Sequence, residues 1–219
     1  MQLFIGNKNY SSWSLRAWLM LAKSGVNFSE VKLTLDTPEF YKRLESVTPT
    51  LKVPTLIDNE IAVWDSLAIC EYINDAYMSG AGWPSEQLMR AKARALACEM
   101  HAGFNGIRNE MPMNIRATRY VELSEQAKKD IMRVEQIWCE QMQKFTGHGD
   151  WLFGPWSIVD AMFAPVALRF KTYGITLNED ASRYMETVLN CSELQCWIAD
   201  ALKETDIVAI DEAGKEREL

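Results

Sequence analysis

A Val-Pro pair, a two-strand pattern and an Asp-Ser helix start follow one another within residues 48–73, and together they leave the chain few ways to fold. The stretch reads Thr-Pro-Thr-Leu-Lys-Val-Pro-Thr-Leu-Ile-Asp-Asn-Glu-Ile-Ala-Val-Trp-Asp-Ser-Leu-Ala-Ile-Cys-Glu-Tyr-Ile. Thr55, Leu56 and Ile57 predict a short strand, Asp58-Asn59 a turn, and Ile61, Ala62 and Val63 a returning strand, so the pair reads as a hairpin. Asp65-Ser66 then opens a helix with Ile69, Tyr72, Ile73 and Ala76 on one face. Pro54 stands at a strand start, where a missing N–H is tolerated. A cis bond there would turn the backbone groups of Val53 outward to pair with an extended peptide; the sequence leaves the isomer open. The free N–H groups at the helix start, with the Ser66 hydroxyl, suit a carboxylate, and the Asp65 carboxylate suits an ammonium beside it. A ligand with an amino-acid end and a peptide middle satisfies both features. The competing reading is a plain hairpin followed by an ordinary Asp or Ser helix cap.

The flanking residues extend this pattern. Leu3-Phe4-Ile5 suits a buried strand. After a loop, Ser11-Ser12-Trp13-Ser14 leads into a helix with Leu15, Trp18, Leu19 and Ala22 on one face, closed by Gly25. Val31, Leu33 and Leu35 alternate with Lys32 and Thr34 as a second strand, and Thr37-Pro38 opens a short helix through Leu44. Two strands joined through a helix imply a parallel pair. Residues 79–85 read as a linker between an α/β unit at 1–78 and an all-helical unit at 86–219. In the second unit, Met111-Pro112-Met113 interrupts a first helix, and residues 123–145 predict another. A capping-box pattern at Ser157 and Asp160 starts a helix through Phe170 in which Pro165 predicts a kink. Ser192 opens a last helix with Leu194, Trp197, Ile198 and Leu202, and the charged tail from Asp211 reads as frayed.

Several function classes fall away. A net charge of −7 is wrong for nucleic acid as the main partner. The sequence has no apolar run near the ~20 residues that span a bilayer and no secretory pattern at its start, so the expected location is cytoplasmic. Five cysteines (Cys70, Cys98, Cys139, Cys191 and Cys196) are scattered without a Cys-x-x-Cys, and His101 and His148 are the two histidines. Neither a disulfide framework nor a metal site is expected. Both histidines read as structural or solvated, and Cys70 as a buried structural thiol.

The order of these features resembles the glutathione-binding half of the glutathione transferase superfamily, which has Val-Pro, a hairpin and Glu/Asp-Ser at about this spacing. The resemblance implies a thioredoxin-like β-α-β-α-β-β-α first domain and an all-α second domain. It implies that Val53 holds the cysteinyl backbone of glutathione and that Asp65 and Ser66 hold its γ-glutamyl end. Pro54 and Lys52 complete the implied binding set. Ser11-Ser12-Trp13-Ser14-Leu15-Arg16 is similar to the Ser-Ser-Cys-x-x-Arg motif of zeta-class transferases, the maleylacetoacetate isomerases, and Thr48-Pro49 to Val53-Pro54 matches their Asn-Pro-x-x-x-Val-Pro spacing. Trp13 departs from the class cysteine, which reshapes the pocket and bears on isomerase activity more than on glutathione binding.

The implied chemistry is thiol activation. A thiol of pKa near ~8.5 ionises more easily beside a hydroxyl donor and a helix N-terminus. Ser11 and Ser12 are the candidate donors, Tyr10 is an alternative, and helix capping is the competing role for either serine. The expected protein is a homodimeric detoxification enzyme that joins glutathione to a small apolar electrophile without a metal. A glutathione-dependent isomerase and a non-catalytic binding or regulatory protein of the same fold are the alternatives. Trp13, Phe104, Arg108, Met111 and Met113 are candidates for the electrophile wall, against a plain core role.

Overall fold

Leu3, Phe4 and Ile5 are apolar toward both faces, and they form an interior strand, β1 (Gln2–Ile5), in the computed structural model, which describes residues 1–217. The sheet has four strands, in the order β2-β1-β3-β4. β2 (Ser29–Lys32) runs parallel to β1, with Gln2 opposite Ser29. β3 (Thr55–Asp58) is antiparallel to β1, and β4 (Ile61–Trp64) returns beside β3 as the expected hairpin. With α1 (Ser12–Ser24), α2 (Pro38–Leu44) and α3 (Ser66–Tyr77), this is the predicted β-α-β-α-β-β-α order.

Side-chain alternation splits the strands between two cores. Phe4 points to α2 and packs with Phe40 and Leu44, where Val31, Leu33, Leu35 and Val53 close the cluster. Leu3, Ile5 and Leu56 point the other way, into the main core with Leu15, Leu19, Ile69 and Ile73. The buried face of α3 is rotated from the expected one: Cys70 and Asn74 are buried while Ala76 is exposed. The reason is polar, since Asn74 Oδ1 accepts the Gly82 N–H at 2.8 Å and so faces inward.

The second half is helical: α4 (Gln87–Ala102), α5 (Asn105–Glu110), α6 (Glu125–Lys144), α7 (Ile158–Tyr173), α8 (Glu179–Leu189) and α9 (Ser192–Ala201). α5 ends before Pro112, as that residue's missing N–H requires. α7 runs through Pro165 to Tyr173, beyond the expected end at Phe170. It is buried on nearly every side because α1, α4 and α8 all pack against it. α8 was not distinguished in the sequence; it turns Ala181, Tyr184 and Val188 inward. Trp138 sits among Phe163, Phe170 and Tyr184 with ring centroids 4.9 to 6.1 Å away, edge-on or tilted pairings that add to area burial.

The expectation of a frayed tail from Asp211 fails through residue 217; residues 218 and 219 lie outside the described residues. Beyond α9, a 3-10 turn (Ala209–Asp211) leads to β6 (Lys215–Glu216), which pairs antiparallel with β5 (Arg119–Tyr120). Composition misled here, because the charges of this segment are the groups that dock it: Glu212 accepts from Tyr10 Oη, from Asn114 Nδ2 and from the Arg119 guanidinium.

The Ser157–Asp160 box is present. Asp160 is fully buried and accepts from the Ser157 N–H (2.8 Å), the Ser157 hydroxyl (3.0 Å), the Leu152 N–H (3.3 Å) and the Tyr184 hydroxyl (3.0 Å). Removing that carboxylate orphans several buried donors. Asp160→Ala is expected to lower the unfolding free energy by about 2–4 kcal/mol in urea titrations, against about 1 kcal/mol for Ser157→Ala. Equal losses in the two variants would contradict this role.

Candidate functional site

Two adjoining cavities, of about 680 and 450 Å³, share a wall of Trp13, Thr50, Lys52 and Val53. The smaller one is built by the hairpin and the start of α3. The Val53–Pro54 peptide bond is cis, and the Val53 N–H and C=O have no partner among the described residues. Pro54, Trp64, Asp65 and Ser66 complete this cavity.

Asp65 does cap α3, as the plain structural reading expected. Its Oδ1 accepts from the Leu67 N–H (2.9 Å) and the Ala68 N–H (3.2 Å). Its backbone has φ 75°, rare for a side-chain-bearing residue, a cost of about 1–3 kcal/mol that the cap bonds offset. Yet Asp65 remains exposed, and its second oxygen meets His101 Nε2 of α4 at 3.0 Å. Burial lowers the His101 pKa, with Asp65 acting against that shift. Ser66 is different: it is only 1% exposed, and its hydroxyl has no hydrogen-bond partner. An unmade buried hydroxyl bond costs about 1–3 kcal/mol, so this group calls for an acceptor from outside the chain. Lys52 is exposed and lines both cavities, where it offers a cation to a second carboxylate.

The larger cavity opens at the N-terminus of α1. Ser11 and Ser12 both line it, and both are nearly buried. Their hydroxyls do different work. Ser11 Oγ caps α1, accepting from the Ser14 N–H at 3.4 Å, and donates its own proton to Ser14 Oγ at 2.7 Å. Ser12 Oγ accepts from Arg169 Nη2 at 3.1 Å, which leaves its proton unspent and makes it a better donor. Tyr10, the alternative donor, is already engaged: its hydroxyl donates to Glu212 at 2.5 Å and accepts from Arg116 at 2.9 Å.

The cavity wall carries Lys52, Arg108 and Arg169 against Asp36 and Asp211, with Arg16 buried behind Trp13. Arg16, Arg108 and Arg169 form no ion pair with a carboxylate among the described residues. The guanidinium carbons of Arg16 and Arg108 stand over the Trp13 ring at 4.5 and 4.7 Å. Arg16 is buried with Nε and Nη1 unbonded, and burial, then Arg108 and Arg169, depress its pKa well below the usual range. Burial, followed by Arg108, brings Arg169 down to about 10. Arg169 otherwise donates to the Met111 and Arg108 carbonyls. A cleft lined by unpaired guanidiniums favours a thiolate or another anion.

Of the five wall candidates, Trp13 and Arg108 line the cavity. Phe104, Met111 and Met113 do not; they are buried in the main core, where apolar residues beside a proline break pack most easily. Sequence reasoning did not reach Arg169, Asp211 or the placement of His101. Arg169 and Asp211 come from more than 150 residues away in the chain, and no local pattern marks them.

Three comparisons fit this architecture. Residues 10–76 match the family model "Glutathione S-transferase, N-terminal domain". A probable maleylacetoacetate isomerase of Caenorhabditis elegans is 29% identical over 99 residues, 45% of this chain but only 46% of that relative's length. Among solved structures, a Burkholderia glutathione transferase homologue with bound glutathione aligns with a TM-score of 0.68 at 22% identity, over 91% of this chain and 96% of that one. A bacterial zeta-class maleyl pyruvate isomerase aligns with a TM-score of 0.70 at 18% identity, over 93% and 98%. Residues 10–76 are thus similar to the N-terminal domain of glutathione S-transferases, and over its described length the chain has the fold of the glutathione transferase structures it aligns with.

Proposed function

We propose that this protein is a glutathione transferase that activates the glutathione thiol for attack on a small electrophile. The observation that supports this most is the unbonded, buried Ser66 hydroxyl at the start of α3, beside an exposed Asp65 and an unpaired Val53 backbone in one cavity. The γ-glutamyl carboxylate would take the Ser66 hydroxyl and the helix N–H groups, its ammonium would take Asp65, and Val53 would pair with the cysteinyl backbone. Lys52 would meet the glycyl carboxylate. The thiol would then lie toward Ser11 and Ser12, where the Ser12 proton, Arg169 behind it and the α1 N-terminus favour the thiolate.

A second reading is a glutathione-dependent isomerase of the maleylacetoacetate type. Arg108 and Arg169, unpaired in the cavity wall, favour it, since they suit an anionic co-substrate better than a neutral one, and two similar proteins are named as a maleylacetoacetate isomerase and a maleyl pyruvate isomerase. A homodimer acting in the cytoplasm completes the proposal. Exposed Ile61, Trp64, Tyr77 and Leu88 support the dimer, and sedimentation at micromolar concentration tests it.

Calorimetric titration with reduced glutathione should show one saturable site. Asp65→Ala should weaken it by roughly tenfold or more without unfolding the chain. Unchanged affinity in that variant would remove Asp65 from the site, and no binding at all would leave the non-catalytic reading in place.

The serines separate by absorbance of the bound thiolate against pH. Ser12→Ala should raise the thiol pKa by about one unit. Ser11→Ala should move it less and instead lower stability by about 1 kcal/mol through loss of the helix cap. A larger pKa change in Ser11→Ala would reverse the two roles.

A further inference from the structure

Asp211 lies in the docked tail and yet lines the larger cavity together with Ser11, Ser12 and Arg169. It is held there from both sides. Arg116 donates to the Asp206 carbonyl at 2.7 Å and Val208 is buried, on the near side. On the far side Glu212 is fixed by Tyr10, Asn114 and Arg119. Tail and cavity therefore meet through the Asp211 side chain, which is half-buried.

That side chain has no structural duty in the chain. Its neighbours Asp206 and Glu212 both bond to other residues, whereas the Asp211 carboxylate has no hydrogen bond or ion pair among the described residues. The charged groups facing it are Arg169 on α7, Asp36 in the loop after β2 and Glu212 beside it, with the neutral Tyr173 phenol also on α7; Arg108 lines the same cavity. Burial, with Asp36 and Glu212, outweighs Arg169 and lifts its carboxyl from 3.8 to about 6. A carboxyl group poised near working pH in a substrate cavity, with its oxygens free, is suited to move protons.

We infer that Asp211 is a catalytic acid–base residue that carries the thiol proton to the product when glutathione adds across an activated double bond. This rests on the transferase reading and narrows its electrophile to α,β-unsaturated carbonyl compounds. The step balances within the site. The Asp211 carboxyl group enters protonated, having taken up the proton that the thiol gives up on forming its thiolate beside Ser12, and the thiolate electron pair forms the C–S bond at the β-carbon. The double-bond pair moves toward the α-carbon, which takes the proton from Asp211 and restores the carboxylate. Displacement of halide from an aryl halide needs no such return, because the leaving group departs with the electron pair and the proton is lost to solvent.

The test compares wild type, Asp211→Asn and Asp211→Glu with an enal and with an activated chloroarene, from about pH 5 to 8. Asp211→Asn should lose roughly a hundredfold in kcat with the enal and no more than about threefold with the chloroarene, and Asp211→Glu should recover part of the enal rate. In wild type the ratio of enal to chloroarene rates should fall as pH rises from about 6 upward, as the carboxyl group loses its proton. In Asp211→Asn the ratio should be flat. Equal losses with both electrophiles, or a pH-independent ratio in wild type, would overturn the role. Calorimetry with glutathione separates the two proposals: absence of binding to wild type defeats the transferase reading and this one with it, whereas normal binding with an unchanged rate ratio defeats this one alone. Carbon NMR of the ligand-free protein gives a second decision, since a carboxyl titrating near 4 at Asp211 also overturns it.

Discussion

One buried carboxylate sets the position of the loop before the serines. Glu204, just past α9, accepts the N–H groups of Lys8 and Asn9 at 2.9 and 3.0 Å, and Lys32 of β2 reaches it at 3.1 Å. Two consecutive backbone donors ending on one oxygen pair fix the direction of the chain between β1 and α1. Without that carboxylate each N–H would stand unbonded in the interior, at about 1–3 kcal/mol apiece. Further contacts repeat the same constraint: Trp197 donates to the Lys8 carbonyl at 2.9 Å, and Asn9 bonds Asn114 and the Arg116 N–H. The loop is therefore shaped from the helical half, and Ser11 and Ser12 inherit their aim from it.

Trp13 has a comparable part in the charge balance. Two guanidiniums drawn out of water need compensation, and the cleft offers them few carboxylates. The indole face supplies part of it, together with carbonyl acceptors on the Arg108 side, at Gly103, Met100 and His101. His101 packs edge-on to the same indole at 5.3 Å while it bonds Asp65, so a single side chain joins the two cavities. The residue in which this chain departs from the zeta-class motif is thus the one around which its positive groups collect. A chain with net charge −7 keeps a locally positive cleft in this way.

The sequence was most informative where function is local. Val53, Pro54, Asp65 and Ser66 lie within fourteen positions, and hairpin and helix signals between them determine how they meet. The β-α-β-α-β-β-α order was readable for the same reason. What depends on distant partners was hidden. Nothing near Arg169 shows that it reaches Ser12, and nothing near residue 211 shows that the tail returns to the cavity. The tail's charges read as solvated because their partners, Tyr10, Asn114 and Arg119, lie about a hundred or two hundred residues earlier. Helix α8 was legible but overlooked: Ala181, Tyr184, Met185, Val188 and Leu189 recur at helical spacing behind an Asn cap.

Lys8 shows what this arrangement does to the molecule as a whole. Its ammonium is nearly buried, 2.8 Å from Glu30 and 2.9 Å from Asp200, and it lies over both Trp18 and Trp197 at about the same distance. Half of those partners come from the sheet-bearing half and half from the last helix. Pulling the halves apart would strip a desolvated cation of its compensation on one side and leave Asp200 with Lys203 alone on the other. The two architectural parts are therefore expected to unfold together, and a gene cut between them is not expected to yield two self-sufficient proteins.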